Sequence, residues 1–528
     1  MSSSLLKRIL HPTRKPKPYS TFSIAPLTTV SSPPSDPSNP TSSSDPLITD
    51  AVTILTHHRS KSRWSTLRSL NPSGFTPSQF SEITLRLRNN PHLSLRFFLF
   101  TRRHFLCPHD IGSCSTLIHT LARSRLKSHA RDVIRLALRL SDEDNDRDRV
   151  SKVFRSLIKS YNRCGSAPFV FDLLVESCLD SKQIDGAVMV TRKLRSKGIN
   201  LQISTCNALI SEVSKRRDAL NGYKLYREVF DLDDVRDDEA KTFMVKPNVN
   251  TFNSMMVSFY REGEAEMVER VWREMEEEVG CSPNAYSFSV LMETYCSRGM
   301  MMEAEKIWEE MKLKRVDQDV VAYNTMIGGL CSNFEVTKAK KLFDEMVTKR
   351  IECTSLTYDR LVNGYCKVGD VDSAMVVYKE MKRKSFEAEG LTIEALVERL
   401  CDGDKRRVVE AAEIVKEAVR ESEFCPSRRC YELLIKRLCE EGKMERALKI
   451  QAEMVGRGFK PSQETYKAFI DGYRRFADEE TSALLAIEMA ESLELRTEEE
   501  EVDEGAALLA FEIAESLKLR AEEEEKES

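Results

Sequence analysis

The chain has 528 residues, with 31% charged, 20 glycines, 18 prolines and a formal net charge of −4. These values argue against a collagenous or low-complexity chain, and no run of 18 or more apolar residues marks a membrane span. The fourteen cysteines form no CxxC pair and no Cys/His quartet at zinc spacing, so a zinc module is not expected.

Residues 1–35 contain no acidic residue, while Lys7, Arg8, Arg14, Lys15 and Lys17 supply positive charge and Leu5, Leu6, Ile9 and Leu10 an apolar face. This acid-poor amphipathic composition is that of an organelle transit peptide. The arginines and the short LLKRIL favour a mitochondrion, with a plastid as the alternative. A Ser/Pro-rich linker completes the segment 1–46. Residues 47–105 read as a helical N-terminal cap with helices at 48–57, 78–88 and 93–102. Within it, His104, Cys107 and His109 come nearest to a metal set, and no metal site is expected of them. Divergent repeats occupy 111–167, including an acidic linker at 141–148 and a helix standing alone after it.

From 168 a period of about 35 residues takes over. Cysteines at 296, 331, 366, 401 and 439 close one helix; methionines at 275, 311, 346, 381 and 454 close a second; alanines at 304, 339, 374 and 447 sit where helix meets helix. Val321, Tyr323, Met326, Ile327 and Leu330 lie on one helix face, and Ala339, Leu342, Phe343 and Met346 on another. Neither helix of such a pair can bury its apolar face alone, so the units must stack. The expected fold is an all-α solenoid of helix-turn-helix repeats. Eight repeats are placed at 168–202, 203–248, 249–284, 285–319, 320–354, 355–389, 390–427 and 428–462, with a decayed one at 463–482. The excess length of 203–248 is the acidic stretch 231–240, expected to be a surface insertion. A tail at 483–528 is duplicated, 483–501 recurring at 507–525. From Asp478 on there are nineteen acidic residues against four basic ones, leaving an excess of eleven basic residues over 1–477.

The segment 320–331 (VVAYNTMIGGLC), with Ala339, Leu342, Phe343, Glu345 and Met346, resembles the pentatricopeptide repeat, and the likeness covers roughly 168–470. The tetratricopeptide repeat has a shorter period and a Trp/Leu-Gly/Tyr pattern that is missing at the corresponding places. The chain is similar to the branch built from uniform repeats, the P-type subfamily of plant organelles. Its stretch 93–100 (LSLRFFLF) resembles the leader before the first repeat in plant members. The resemblance implies a right-handed superhelix that binds single-stranded organellar RNA in its concave groove, one base per repeat. The expected outcome is an effect on transcript stability, processing or translation by occupancy.

By that resemblance the fifth and last residues of each repeat contact the base edge. The pairs are Asp172/Gln202, Asn207/Asn248, Asn253/Asn284, Ser289/Asp319, Asn324/Thr354, Asp359/Glu389, Glu394/Ser427 and Glu432/Ser462. The reading frame implied best is 203–354, namely Asn207, Asn248, Asn253, Asn284, Ser289, Asp319, Asn324 and Thr354. Asn and Ser are also ordinary capping residues, and the acids at 359, 394 and 432 are unfavourable beside phosphates. The residue implied to stack on the base, second in each repeat, is aliphatic at Val321, Leu356 and Leu391. It is Ser204, Asn250, Arg429 and Glu464 elsewhere, a departure from the family pattern. No Gly-rich phosphate loop, deaminase zinc set or nucleophile–histidine pair is legible, so neither an enzyme nor a cofactor is expected. The alternative partner class is protein, with the solenoid serving as a scaffold in a ribosomal or RNA-processing assembly.

Overall fold

In a computed structural model, the structure describes residues 45–57, 62–140, 146–230, 232, 246–402, 407–421 and 424–476. The transit-peptide segment up to residue 44, the insertion 231–240 apart from Leu232, and the tail from 477 on lie outside the described residues. Among the described residues every regular element is a helix, as the sequence leads one to expect. No helix among them is long and apolar enough to cross a membrane.

The chain forms two compact units, one ending at Pro72 and one beginning at Ser73. In the first, helices Pro46–His57 and Arg63–Leu70 pack together; the second of these has no counterpart in the sequence reading. Its mean composition (RWSTLRSL) has a weak apolar stripe, with Leu67 as its one buried residue, which is too little periodicity to read.

The second unit opens with Pro77–Arg86 and Pro91–Arg103, both packed on Ile111–Arg123. These begin a residue or two before the expected positions, because proline is tolerated in the first turn, where its missing N–H would have no helical partner. Thr76 and Gln79 form a reciprocal cap there, Gln79 N–H to Thr76 Oγ1 at 3.2 Å and Thr76 N–H to Gln79 Oε1 at 3.0 Å. Helix Asp146–Cys164 does not stand alone as expected. It packs on both Ile111–Arg123 and Ile184–Arg195, and a Cβ at Gly186 would come within 2.5 Å of Val150.

From there the pairs follow one another. First helices Val170–Asp180, Ile203–Arg216, Val249–Glu262, Ala285–Ser297, Val320–Ser332, Ser355–Val368, Gly390–Asp402, Arg428–Glu440 and Gln463–Phe476 pack each on the next. All but the last also pack on their own second helices. These are Ile184–Arg195, Ala219–Val229, Ala265–Arg273, Met301–Leu313, Val336–Thr348, Val371–Arg383, Val408–Glu421 and Met444–Gly456. Ala265–Arg273 continues into a π-helical turn, Glu274–Glu278. Within that turn Glu274 is buried and accepts from the Tyr223 and Tyr226 hydroxyls at 2.7 and 3.0 Å.

Three recurring contacts explain the sequence period. Met311, Met346, Met381 and Met454 and the alanines at 304, 339, 374 and 447 are fully enclosed, which places them at the helix–helix seams. Cys296 and Cys331 fit against the glycine that stands two positions before the cysteine of the following repeat. A Cβ at Gly364 would stand 2.5 Å from Cys331 Sγ, and Gly329 faces Cys296 in the same way, while Gly472 lies more loosely against Met444 and Cys439. All fourteen cysteines are free thiols, and burial pushes Cys296, Cys331, Cys366 and Cys439 up to about 12. Finally, the buried tyrosine in the fourth position donates to the glutamate before the seam methionine: Tyr323 to Glu345 at 2.9 Å, Tyr358 to Glu380 at 3.3 Å and Tyr431 to Glu453 at 3.0 Å. A tyrosine enclosed among apolar neighbours needs such an acceptor. Ion pairs such as Lys338–Glu305 and Arg437–Asp402, both at 2.8 Å, join neighbouring repeats on the surface, where each contributes little.

Candidate nucleic-acid interface

The last residue of each repeat is the N-cap of the next first helix, which fixes its place. Asn248, Asn284 and Asp319 adopt extended backbone and accept from the N–H three residues on, at 3.1, 3.0 and 2.9 Å. Short polar side chains are favoured there because they satisfy a donor left over at the helix start. The fifth residue lies one turn into its own first helix, and repeat stacking brings it beside that cap.

The structure brings three of the four sequence-read pairs into direct contact. Asn207 Nδ2 donates to Asn248 Oδ1 at 3.2 Å, Asn253 Nδ2 to Asn284 Oδ1 at 3.3 Å, and Asn324 Nδ2 to Thr354 Oγ1 at 3.3 Å. Ser289 and Asp319 are instead each engaged with backbone: Ser289 Oγ donates to the Ala285 carbonyl at 2.9 Å, and Asp319 caps Ala322. Asn253, Ser289 and Asn324 are 5%, 3% and 4% exposed, whereas Asn284 and Asp319 are exposed. The cap residue is therefore the outer member of each of those pairs. Val321 and Leu356 are half-buried at the second position, and Leu391 is exposed. Tyr286, half-buried at the second position of 285–319, is an aromatic that the aliphatic pattern passed over.

Acids at the fifth position behave differently. Asp172 Oδ1 accepts from the backbone N–H of Gln202 at 2.7 Å, Asp359 Oδ1 from Glu389 N–H at 3.0 Å, and Glu394 Oε1 from Ser427 N–H at 2.8 Å. Each pins the main chain of the last residue. Burial pushes Asp359 up to about 6 against the hydrogen bonds from Glu389 N–H and Thr392, with the Glu389 charge adding to the rise. Asp172 is raised for the same first cause. Arg360 was not singled out by sequence. Its guanidinium donates to the Asn324 carbonyl over Gly328, where a Cβ would occupy the same space, so a cation is held beside a base-contact candidate. A glycine in one first helix and an arginine in the next were the available signal.

Of His104, Cys107 and His109, the last two are packed into the helical core and His104 is exposed. His109 Nε2 lies 3.0 Å from the Thr101 hydroxyl and its ring packs on Phe80 and Phe98 at 4.6 and 4.5 Å. Burial lowers His109 to about 4 and raises Cys107 to about 12. No group of three or more metal-ligating side chains is assembled among the described residues.

Family models described as the PPR repeat family match residues 247–297, 318–367, 354–402 and 426–475, and one described as PPR repeat matches 286–316. The chain is 80% identical over 503 residues to the pentatricopeptide repeat-containing protein At2g15980 of Arabidopsis thaliana, covering 95% of this chain and 100% of that one. It is 28% identical over 204 residues to the Arabidopsis protein At1g11710, mitochondrial, covering 38% and 29% of the two chains. Among solved structures, the maize pentatricopeptide repeat protein PPR10 in complex with an 18-nt psaJ RNA element aligns over 81% of this chain and 76% of that one, at 15% identity and a TM-score of 0.35. On the identity to At2g15980 across nearly its whole length, the chain belongs to the pentatricopeptide repeat family.

Proposed function

We propose that the protein binds single-stranded organellar RNA along its first helices, one base per repeat, and acts on a transcript's stability, processing or translation by occupying it. The observation that carries this reading is the recurrence of an amide–amide or amide–hydroxyl pair at the same edge of three first helices, Asn207/Asn248, Asn253/Asn284 and Asn324/Thr354. Such pairs match the size and polarity of a base edge. Family membership and the RNA bound to a maize member support it. By the family's code the two Asn/Asn pairs select pyrimidines, Ser289/Asp319 guanine and Asn324/Thr354 a pyrimidine, read 5′ to 3′ along the chain. Val321 and Leu356 are the wedges against which bases stack. Helices Pro77–Arg86 and Pro91–Arg103, packed on Ile111–Arg123, cap the array at its N-terminal end.

A competition assay with oligonucleotides differing at one base tests the assignment. Asp319→Asn exchanges a carboxylate acceptor for an amide and moves the preference at that nucleotide from guanine toward adenine, by a margin of about 1–3 kcal/mol. An equal change for every oligonucleotide would show that Asp319 acts only through its charge. The organelle is the mitochondrion, a reading supported by the acid-poor first 35 residues and by the relative named mitochondrial. A fluorescent fusion of residues 1–60 enters mitochondria on this reading; plastid signal would correct it.

The acids at 172, 359 and 394 favour a second role for their repeats. A carboxylate committed to the neighbouring main chain offers a base little, and those repeats serve the stack or contact protein partners of the ribosomal or RNA-processing class.

A further inference from the structure

A residue that belongs to neither position of the pair touches each of the three amide pairs. It is the hydroxyl in the third position of the following repeat. Thr251 Oγ1 donates to Asn207 Oδ1, Ser287 Oγ to Asn253 Oδ1 and Thr357 Oγ1 to Asn324 Oδ1, each at 2.7 Å. All three hydroxyl residues are fully buried. The direction of these bonds follows from proton counting. Each hydroxyl already accepts a backbone N–H of its own helix start: Asn248 N–H at 3.1 Å, Asn284 N–H at 3.2 Å and Thr354 N–H at 3.0 Å. Its single proton has two oxygens in reach, the cap's at 3.1 Å for Thr251 and 3.0 Å for Ser287 and the fifth-position amide's at 2.7 Å, and the shorter contact takes it, so that the amide turns oxygen rather than nitrogen to the hydroxyl. The fifth-position asparagine is thereby locked with its oxygen inward and its NH2 outward.

The cap asparagines follow. Asn248 Oδ1 accepts from Thr251 N–H and from Asn207 Nδ2, and Asn284 Oδ1 from Ser287 N–H and Asn253 Nδ2. With a protein donor on every one of these oxygens, the group that both asparagines of each pair turn toward a ligand is the N–H donor. The Watson–Crick edge with two adjacent acceptors is that of cytosine, N3 and O2; uracil interrupts them with a donor at N3. An instructive exception lies in the same array. The third-position residue of the repeat after that of Ser289 is Ala322, which has no hydroxyl, and Ser289 turns to its own helix carbonyl.

We propose that Thr251, Ser287 and Thr357 are positioning residues for base selection, each acting on the base-contact asparagine of the preceding repeat, and that the donor-only pairs at 207/248 and 253/284 prefer cytosine to uracil. The proposal rests on the RNA-reading function above and adds an offset: the hydroxyl of one repeat governs the nucleotide read by the repeat before it.

The full chain is titrated with a synthetic RNA in which the core C-C-G-C is flanked by adenosines, each core nucleotide being replaced in turn by the other bases. The wild type is expected to favour cytosine over uracil at the first two core nucleotides by about tenfold. In Thr251→Val the amide of Asn207 loses its fixed polarity, and the preference falls to near unity at the first nucleotide while the second keeps it. Ser287→Ala gives the reciprocal result, at a second site with its own cap, and Thr251→Ser restores discrimination. Unchanged preference in both Thr251→Val and Ser287→Ala, or a uniform loss for all oligonucleotides with the helix content retained, would overturn the positioning role. A wild type that binds every oligonucleotide alike would overturn the base-reading function itself, and this inference with it.

Discussion

Gly364→Ala is the sharpest probe of how these repeats are held together. In an ordinary helix interior, replacing glycine by alanine stabilises by about 1 kcal/mol, because the unfolded chain loses freedom and the helix gains propensity. At Gly364, inside Ser355–Val368, the new methyl would stand 2.5 Å from Cys331 Sγ and 2.8 Å from Cys331 Cβ, distances at which one helix must move off the other. Overpacking of a close seam costs about 1–3 kcal/mol, so the clash outweighs the propensity gain and the net change is destabilising by about 1 kcal/mol. Gly456, at the end of Met444–Gly456, has nothing within 4 Å of the same added methyl, and Gly456→Ala is expected to stabilise. Hydrogen exchange resolved by peptide is the suitable assay, since an array of repeats opens locally and one global midpoint would blur the effect. Faster exchange across 320–368 in Gly364→Ala, with slower exchange at 444–456 in Gly456→Ala, is the expected pair of results. Cys331→Ala added to Gly364→Ala removes the sulfur and recovers part of the loss, a coupling that separate sites would not show. Stabilisation by Gly364→Ala would falsify the glycine–cysteine seam.

Two further outcomes are expected. Tyr323→Phe removes the bond to Glu345 at 2.9 Å and lowers stability by about 1 kcal/mol, visible as earlier thermal unfolding; an unaltered melt would mean that the tyrosine is retained for its ring alone. Asp359, raised to about 6 by burial, binds more protons folded than unfolded between its ordinary value of 3.8 and 6, so local stability falls as pH rises through that window. Asp359→Asn is expected to flatten this dependence in exchange experiments at pH 5 and 7, and a slope equal to the wild type's would place the titration elsewhere.

The sequence disclosed the period because seams between helices tolerate few residue types. Met346, Ala339 and Cys331 are enclosed on every side, and such positions repeat visibly whatever the surface does. The fifth and last positions were legible only through the resemblance to the family; of the two only the last is a helix cap, where short polar side chains are favoured. Helix Arg63–Leu70 was illegible, having one buried side chain to mark its face. So were the partners of Cys296 and Cys331, because Gly329 and Gly364 carry no side chain and reveal their role only when the facing helix is in place. The third-position hydroxyls were legible as a pattern, Thr251, Ser287 and Thr357 each standing three residues after a cap. Read along the chain they are capping-box members, and only the stacked structure shows their protons going to the repeat before.

These contacts bear on how far a repeat can be treated as a separate module. Glycine receives the cysteine of the preceding repeat, the cap of one first helix meets the fifth residue of the helix before, and Arg360 reaches back over Gly328 to the carbonyl of Asn324. The glycine contact and the arginine bond both run from a repeat to its predecessor. A substitution in one repeat therefore alters the surface presented by the repeat before it. Exchanging whole units at 35-residue boundaries would separate Asn324 from Thr357 and Arg360, which lie across the boundary at 354. A transplant that preserves the environment of Asn324 has to carry the following first helix, Ser355–Val368, as well.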